Sequence, residues 1–208
     1  IFYMILIINN SNYDINQTPT NKMLYKIISD LVGKDKVIIN NTDELNTIFL
    51  NKTLKNSIKG VILSGSELRI GDKNLLNKIF NNILPIIELN VPILGVCFGL
   101  QVLGILYKSK FGSYTKRSEG YKRVILNNRC KIFKGFPVES VFHFTHFDYL
   151  KGGPLLKDKF NIISTNEEGN IIYGIKHKKK HIYGIQFHPE CDITNVKLYK
   201  NFLEICKF

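Results

Sequence analysis

Tryptophan is missing from the 208 residues, and acidic side chains are scarce: 17 Asp and Glu stand against 29 Lys and Arg, a formal net charge of +12. The lack of Trp, beside plentiful Asn, Lys and Ile, reads as coding bias and carries no functional weight. A basic balance suits nucleic acid or an acidic partner, but the lysines are spread along the chain and no basic stripe is interleaved with aromatics. Nucleic-acid binding is therefore not expected. The one dense run, His177-Lys178-Lys179-Lys180-His181, lies between two strand-like runs and reads as a solvated hairpin turn, with a docking patch for an acidic partner as the alternative.

Long apolar runs are also missing. None reaches the ~20 residues that span a bilayer. Ile1 to Ile8 is apolar but lacks a basic flank and a small-residue cleavage site, so it makes a poor signal peptide, and Met4 is a candidate natural start. Cysteine occurs four times, at Cys97, Cys130, Cys191 and Cys206, and never as a CxxC pair. That spacing suggests neither a zinc site nor a disulfide framework. A reduced, cytoplasmic protein without metal or other cofactor is expected. A P-loop, a dinucleotide fingerprint, internal repeats and low-complexity linkers are all lacking. One domain over residues 1–208 is the simplest organisation for this length.

What is present alternates. Met4 to Ile8 is a strand apolar on both faces, and Leu24, Ile27, Ile28 and Leu31 recur at helical spacing before Gly33. Val37 to Ile39 reads as a strand, Thr42-Asp43-Glu44 as a helix start, and Gly60 to Leu63 as a third strand. Leu75, Leu76, Ile79, Phe80 and Ile83 predict a helix that Pro85 limits. Pro92 to Val96 is a fourth strand, running into a helix over Phe98 to Leu106. Then the character changes. Tyr121 to Ile125, Ser140 to Phe144, Asn161 to Thr165, Ile171 to Lys176 and His181 to Phe187 are closely spaced strands, some joined by short turns such as Glu168-Gly169-Asn170. Val196, Tyr199, Phe202, Leu203 and Cys206 give a closing helix with Thr194 as N-cap. The expected fold is α/β: a mixed, largely parallel central sheet flanked by helices, with an antiparallel addition in the C-terminal half.

Two motifs about 90 residues apart carry chemistry. Gly95-Val96-Cys97-Phe98-Gly99 follows a strand and opens a helix. A G-x-C-x-G turn of this kind holds its central residue in a strained conformation, so that the side chain projects and only small residues fit two positions either side. It also sets Cys97 at a helix N-terminus, where the dipole favours a thiolate. The second motif, Gly184-Ile185-Gln186-Phe187-His188-Pro189-Glu190, places a histidine and a carboxylate two residues apart after a strand. Pro189 turns the chain out of the sheet, so Glu190 can fold back on the imidazole. Cysteine, histidine and carboxylate are the nucleophile, base and orienting acid of covalent acyl transfer. His143, His146, His177 and His181 are weaker base candidates, and His146 either lines the pocket or is exposed.

Pro92 to Gln101 together with Gly184 to Glu190 resembles the class I glutamine amidotransferases, with the motifs in family order over nearly the whole chain. The resemblance implies a flavodoxin-like mixed sheet and a Cys97, His188, Glu190 triad that hydrolyses the side-chain amide of L-glutamine. It implies that Gly60 to Glu67 is the glycine-rich loop whose Gly65 or Ser66 N–H completes an oxyanion hole with Phe98 N–H. Ser64, Gln101, Thr145 and His146 are implied to hold the substrate. Ser66 stands where the family usually has a second glycine or Pro-Gly; a positive φ there would strain a serine, so the loop is expected to be shifted or to need a partner to order it. A separate ammonia-consuming synthase subunit is implied as partner. The stretch Gly112 to Phe136, with Glu119-Gly120-Tyr121 and Phe133-Lys134-Gly135-Phe136-Pro137, followed by Phe144-Thr145-His146, looks most like the amidotransferase part of GMP synthetases. Subunits of anthranilate and aminodeoxychorismate synthases, a stand-alone γ-glutamyl hydrolase and a non-catalytic binding module are the alternatives.

Overall fold

The computed structural model describes residues 3–42 and 52–208. The helix start proposed at Thr42-Asp43-Glu44 falls mainly outside them. The first half alternates strand and helix. β1 (Met4–Asn9), α1 (Pro19–Val32) and β2 (Val37–Asn41) are followed by α2 (Lys52–Ser57), β3 (Ile58–Leu63), α3 (Lys73–Glu88), β4 (Ile93–Val96) and α4 (Phe98–Leu106). The second half is mostly strand: β5 (Lys110–Leu126), β6 (Glu139–Gly152), a short α5 (Pro154–Lys159), β7 (Phe160–Thr165), β8 (Ile172–His177), β9 (Ile182–Ile185) and the closing α6 (Lys197–Ile205).

One sheet runs in the order β2-β1-β3-β4-β9-β8-β6-β5-β7. The neighbours from β2 to β9 pair in parallel. The rest pair antiparallel, and β7 also pairs with β8, so β8, β6, β5 and β7 close on themselves. The sheet is mixed, but the expectation of a largely parallel one needs correcting. Four of the nine pairings among the described residues are parallel, and β5–β6 is the longest ladder.

β1 shows how the core is split. Successive side chains of a strand point to opposite faces. Ile5 and Ile7 pack with Leu24 and Ile28 of α1 and Phe202 of α6. Leu6 and Ile8 pack with Ile79 and Ile83 of α3 and with Phe98 and Leu100 of α4. Helices thus cover both faces, which a strand apolar on both sides requires.

Several boundaries differ from the sequence reading. Pro85 does not limit α3, which continues to Glu88 because Ile86 and Ile87 are buried beyond the lost N–H. Thr194 is not the N-cap of α6. It lies in a 3₁₀ turn, Ile193–Val196, capped by the Asp192 carboxylate, and α6 starts at Lys197 with no side-chain cap. β6 runs well beyond Ser140 to Phe144 because its buried face continues through His146 and Asp148, which broke the apolar alternation. The basic run is the β8–β9 turn as expected, and His177 Nδ1 accepts the Lys179 and Lys180 N–H groups at 3.1 and 2.9 Å. The four cysteines are unpaired. No helix among the described residues is long and apolar enough to cross a membrane.

Candidate active site

Strand pairing joins the two motifs. β4 and β9 run side by side with Gly95 opposite Gly184 and Val96 opposite Ile185. Cys97 N–H donates to Ile185 O at 2.7 Å as the chain leaves the sheet. Cys97 itself has φ 51° and ψ −102°, a positive-φ conformation that costs a non-glycine residue roughly 1–3 kcal/mol. The flanking glycines permit the turn. A Cβ on Gly95 would lie 2.6 Å from the Gly99 backbone, and one on Gly99 would collide with the Leu63 carbonyl.

His188 follows β9 and is tied to β6 by its N–H, which donates to His143 O at 2.9 Å. Its Nδ1–H donates to Glu190 Oε1 at 2.6 Å, and Glu190 Oε2 accepts the Tyr199 phenol at 2.5 Å. All three side chains are buried. Nε2 is buried with no hydrogen-bond partner. Gly65 wedges between the motifs: a Cβ placed on it would sit 3.1 Å from His188 Cε1 and 3.6 Å from Cys97 Cβ. Burial alone would lower the His188 pKa, but the charges of Glu190 and Cys97 outweigh it and raise it well above the usual imidazole value. Tyr199 is pushed up by burial and by Glu190, so it remains a phenol donor.

An open cleft of about 400 Å³ exposes this chemistry. Of the residues expected at the site, Cys97, His188, Ser66, Gln101, Thr145 and His146 line it. Glu190 and Phe98 lie behind it, buried, as does Gly65. Ser64 does not reach it. Its hydroxyl is buried, accepting from Asn10 N–H at 3.0 Å and donating to Gly65 O at 2.9 Å, so it supports the loop and cannot touch a ligand. His146 is buried to about 5% exposure at the cleft wall, which decides between the two readings left open for it. Burial pushes its pKa down to about 4, its Nδ1 sits 2.9 Å from Asp148 O, and its Nε2 is unpartnered.

The expectation that Ser66 strains the oxyanion loop does not hold. Neither Ser66 nor Gly65 has a positive φ. The Ser66 hydroxyl donates to Asn10 O at 3.0 Å and accepts Leu68 N–H at 3.1 Å, closing a local turn that a glycine lacks the atoms to make.

Several side chains that build the site escaped the sequence reading. Gln186 sits inside the second motif, fully buried; its Nε2 donates to Cys97 Sγ at 3.5 Å and its Oε1 accepts Gln101 Nε2 at 3.2 Å. Tyr199 appeared only as an apolar helix position. Asp148 is buried, held bidentately by Arg69 at 2.6 and 2.8 Å, and its carbonyl accepts Gln101 Nε2 at 2.6 Å. Arg69 and Arg117 lie over the Phe147 ring, 4.6 and 5.3 Å from its centre, and all three line the cleft. An arginine–carboxylate pair between residues this far apart in the chain has no local signal in a sequence.

The family model for class I glutamine amidotransferases matches residues 20–206. The chain belongs to that family. A glutamine-hydrolysing GMP synthase subunit of Methanococcus aeolicus is 31% identical over 207 residues, covering 98% of this chain and 97% of its own. The GMP synthase of Spiroplasma kunkelii is 35% identical over 162 residues, and this chain aligns to 30% of that protein's length. Among solved structures, a GMP synthase subunit described as putative, from Thermoplasma acidophilum, superposes with a TM-score of 0.79 at 22% identity, covering all of this chain and 95% of that one. A glutamine amidotransferase from Thermotoga maritima gives 0.69 at 20% identity, covering all of this chain and 86% of that one.

Proposed function

We propose that residues 1–208 form one amidotransferase domain that hydrolyses the side-chain amide of glutamine and passes the ammonia to a separate synthase subunit, of the GMP synthase type. The observation that carries the reading is the convergence of Cys97 and the buried His188–Glu190 pair on Gly65. The Cys97 thiolate attacks the amide carbon. The oxygen that becomes negative takes hydrogen bonds from backbone N–H groups of the Gly65–Ser66 loop and of Phe98, each worth about 3 kcal/mol in such a site. His188 Nε2 gives a proton to the departing nitrogen, and ammonia leaves as the thioester forms. His188 then takes a proton from water, which attacks the thioester and releases glutamate. Glu190, through Nδ1, fixes the ring and offsets its charge. Gln101, Thr145 and His146 line the space where the glutamine backbone end would lie.

The partner reading is supported by near end-to-end similarity to a protein named as one subunit of a GMP synthase, which favours it over a stand-alone γ-glutamyl hydrolase. Glutamine hydrolysis by the chain co-expressed with its synthase subunit tests it. Cys97→Ala is expected to reduce hydrolysis by roughly 10⁴-fold or more, while added ammonia still drives the synthase. Retention of glutamine hydrolysis by that variant refutes the reading. Purification from the native cell with mass identification of the bound subunit identifies the acceptor.

A further inference from the structure

Asn21, near the start of α1, belongs to neither motif and does not line the cleft, yet it is only 1% exposed and its amide grips the oxyanion loop. Its Nδ2 donates to Gly65 O at 3.2 Å, with Ser64 Oγ at 3.2 Å and Asn9 Oδ1 at 3.0 Å sharing the same group. Ser64 Oγ adds a second bond to the Gly65 carbonyl at 2.9 Å, and Asn10 Nδ2 donates to Ser64 O at 2.8 Å. The amide orientation follows from these partners: reversed, Asn21 would aim an acceptor at two other acceptors.

A peptide unit is planar and trans, and none of the described bonds is cis. The Gly65 carbonyl and the Ser66 N–H therefore point in opposite directions. With the carbonyl turned into the buried Asn21–Ser64 cluster, the Ser66 N–H is turned away from it, and Ser66, unlike Gly65, lines the cleft. Rotating that one peptide by half a turn would aim a carbonyl oxygen at the developing oxyanion and repel what the site must stabilise. We infer that Asn21 is a positioning residue, which locks the Gly65–Ser66 peptide so that Ser66 N–H is the oxyanion donor facing Phe98 N–H. The assignment rests on the glutaminase reading and chooses between the two loop donors that reading leaves open.

Asn21→Asp keeps the size and removes both N–H donors. Measured with the synthase subunit present, it is expected to lower kcat for glutamine roughly 10- to 100-fold with KM within about 3-fold, short of the ~10²–10³ cost of deleting a donor outright. Alkylation of Cys97 by iodoacetamide forms no oxyanion, so its rate should stay within about 2-fold of the wild type. Ser64→Ala removes the other bond to the same carbonyl. It should show the same split with a smaller loss, and it decides the question if Asn21→Asp does not fold. Unchanged kcat in the folded variants, or alkylation falling in step with kcat, overturns the assignment, the latter meaning general collapse of the site. A wild type that hydrolyses no glutamine refutes the functional reading, and this assignment with it, before any variant is compared.

Discussion

The buried His188–Glu190 pair makes a pH-dependent contribution to stability whose sign is set. Its Nδ1–Oε1 distance is 2.6 Å and both side chains are almost fully buried. In the folded protein the imidazole keeps its proton well above the usual value, whereas unfolded it releases it near pH 6.5. Between those limits the folded state holds one more proton than the unfolded state. The stabilisation is therefore complete below about pH 6.5 and is lost as pH rises, at up to about 1.4 kcal/mol per pH unit. The window from pH 7 to 8 isolates it. His143, His146 and His177 have lowered values and act below about pH 6.5. The thiols Cys130, Cys191 and Cys206 are raised by burial and act only above about pH 8.5, where unfolded cysteine titrates. Working in a Cys97→Ala background leaves Glu190 as the remaining strong cause of the shift. For a domain of this size the slope corresponds to roughly 3–5 °C of Tm per pH unit. Scanning fluorimetry at closely spaced pH values is expected to show that decline in Cys97→Ala and a nearly flat line in Cys97→Ala/Glu190→Gln. Equal slopes in the two proteins would refute the reasoning, because the decline would then come from groups other than the pair.

Tyr199→Phe deletes the phenol that donates to Glu190 Oε2 inside the core; a lost hydrogen bond to a charged group predicts about 1.5–3 kcal/mol of destabilisation in urea titration, and a loss under about 0.5 kcal/mol would mean the carboxylate finds another donor. His146, held near pKa 4 against about 6.5 unfolded, stabilises the fold fully above pH 6.5 and progressively less as pH falls toward 4, by up to about 3 kcal/mol. Urea midpoints from pH 7 to 4.5 should therefore fall less steeply in His146→Gln than in the wild type. Gly95→Ala and Gly184→Ala should differ sharply: the first Cβ meets the Gly99 backbone at 2.6 Å, the second meets the movable Leu100 Cδ1 at 2.6 Å. Overpacking typically costs about 1–3 kcal/mol, so Gly95→Ala is expected at or beyond the upper end with loss of activity, and Gly184→Ala near the lower end.

The parallel half was legible because its buried strands are unbroken apolar runs and its helices repeat at 3.6 residues; Ile5 to Ile8 and the Phe98–Leu106 helix need nothing from the rest of the chain to be recognised. The candidate triad was legible for a related reason, since a strained turn admits few residue types and each motif is local. The antiparallel half was read short. On β6 the buried face runs Phe142, Phe144, His146, Asp148, Leu150, and its polar members are those that line the cleft or anchor Arg69. Polar groups at the cleft stand where the period-2 pattern expects apolar ones, and the strand vanished from the pattern at that point. Ser66 was misjudged because a glycine preference was taken to mean a positive φ, when the loop here bonds through the serine hydroxyl instead.

The placement of Cys97 and His188 by one strand pair also explains where tolerance should end. Cys97 lies one residue past Val96 and His188 three past Ile185, and Val96 faces Ile185 across β4–β9. A slip of one residue along this pair would displace the two groups by about 3.3 Å relative to each other and reverse the faces of the slipped strand. Opposition to such a slip comes from the packing of α4: Gly184 lies directly beneath Leu100, and Gly95 beneath Gly99. Moving β4 by one position would bring Leu94 or Val96 against the Gly99 backbone, and moving β9 would bring Tyr183 or Ile185 against Leu100, where only the side chain can give way. Gly95, and to a lesser degree Gly184, therefore hold the register that brings Cys97 and His188 together.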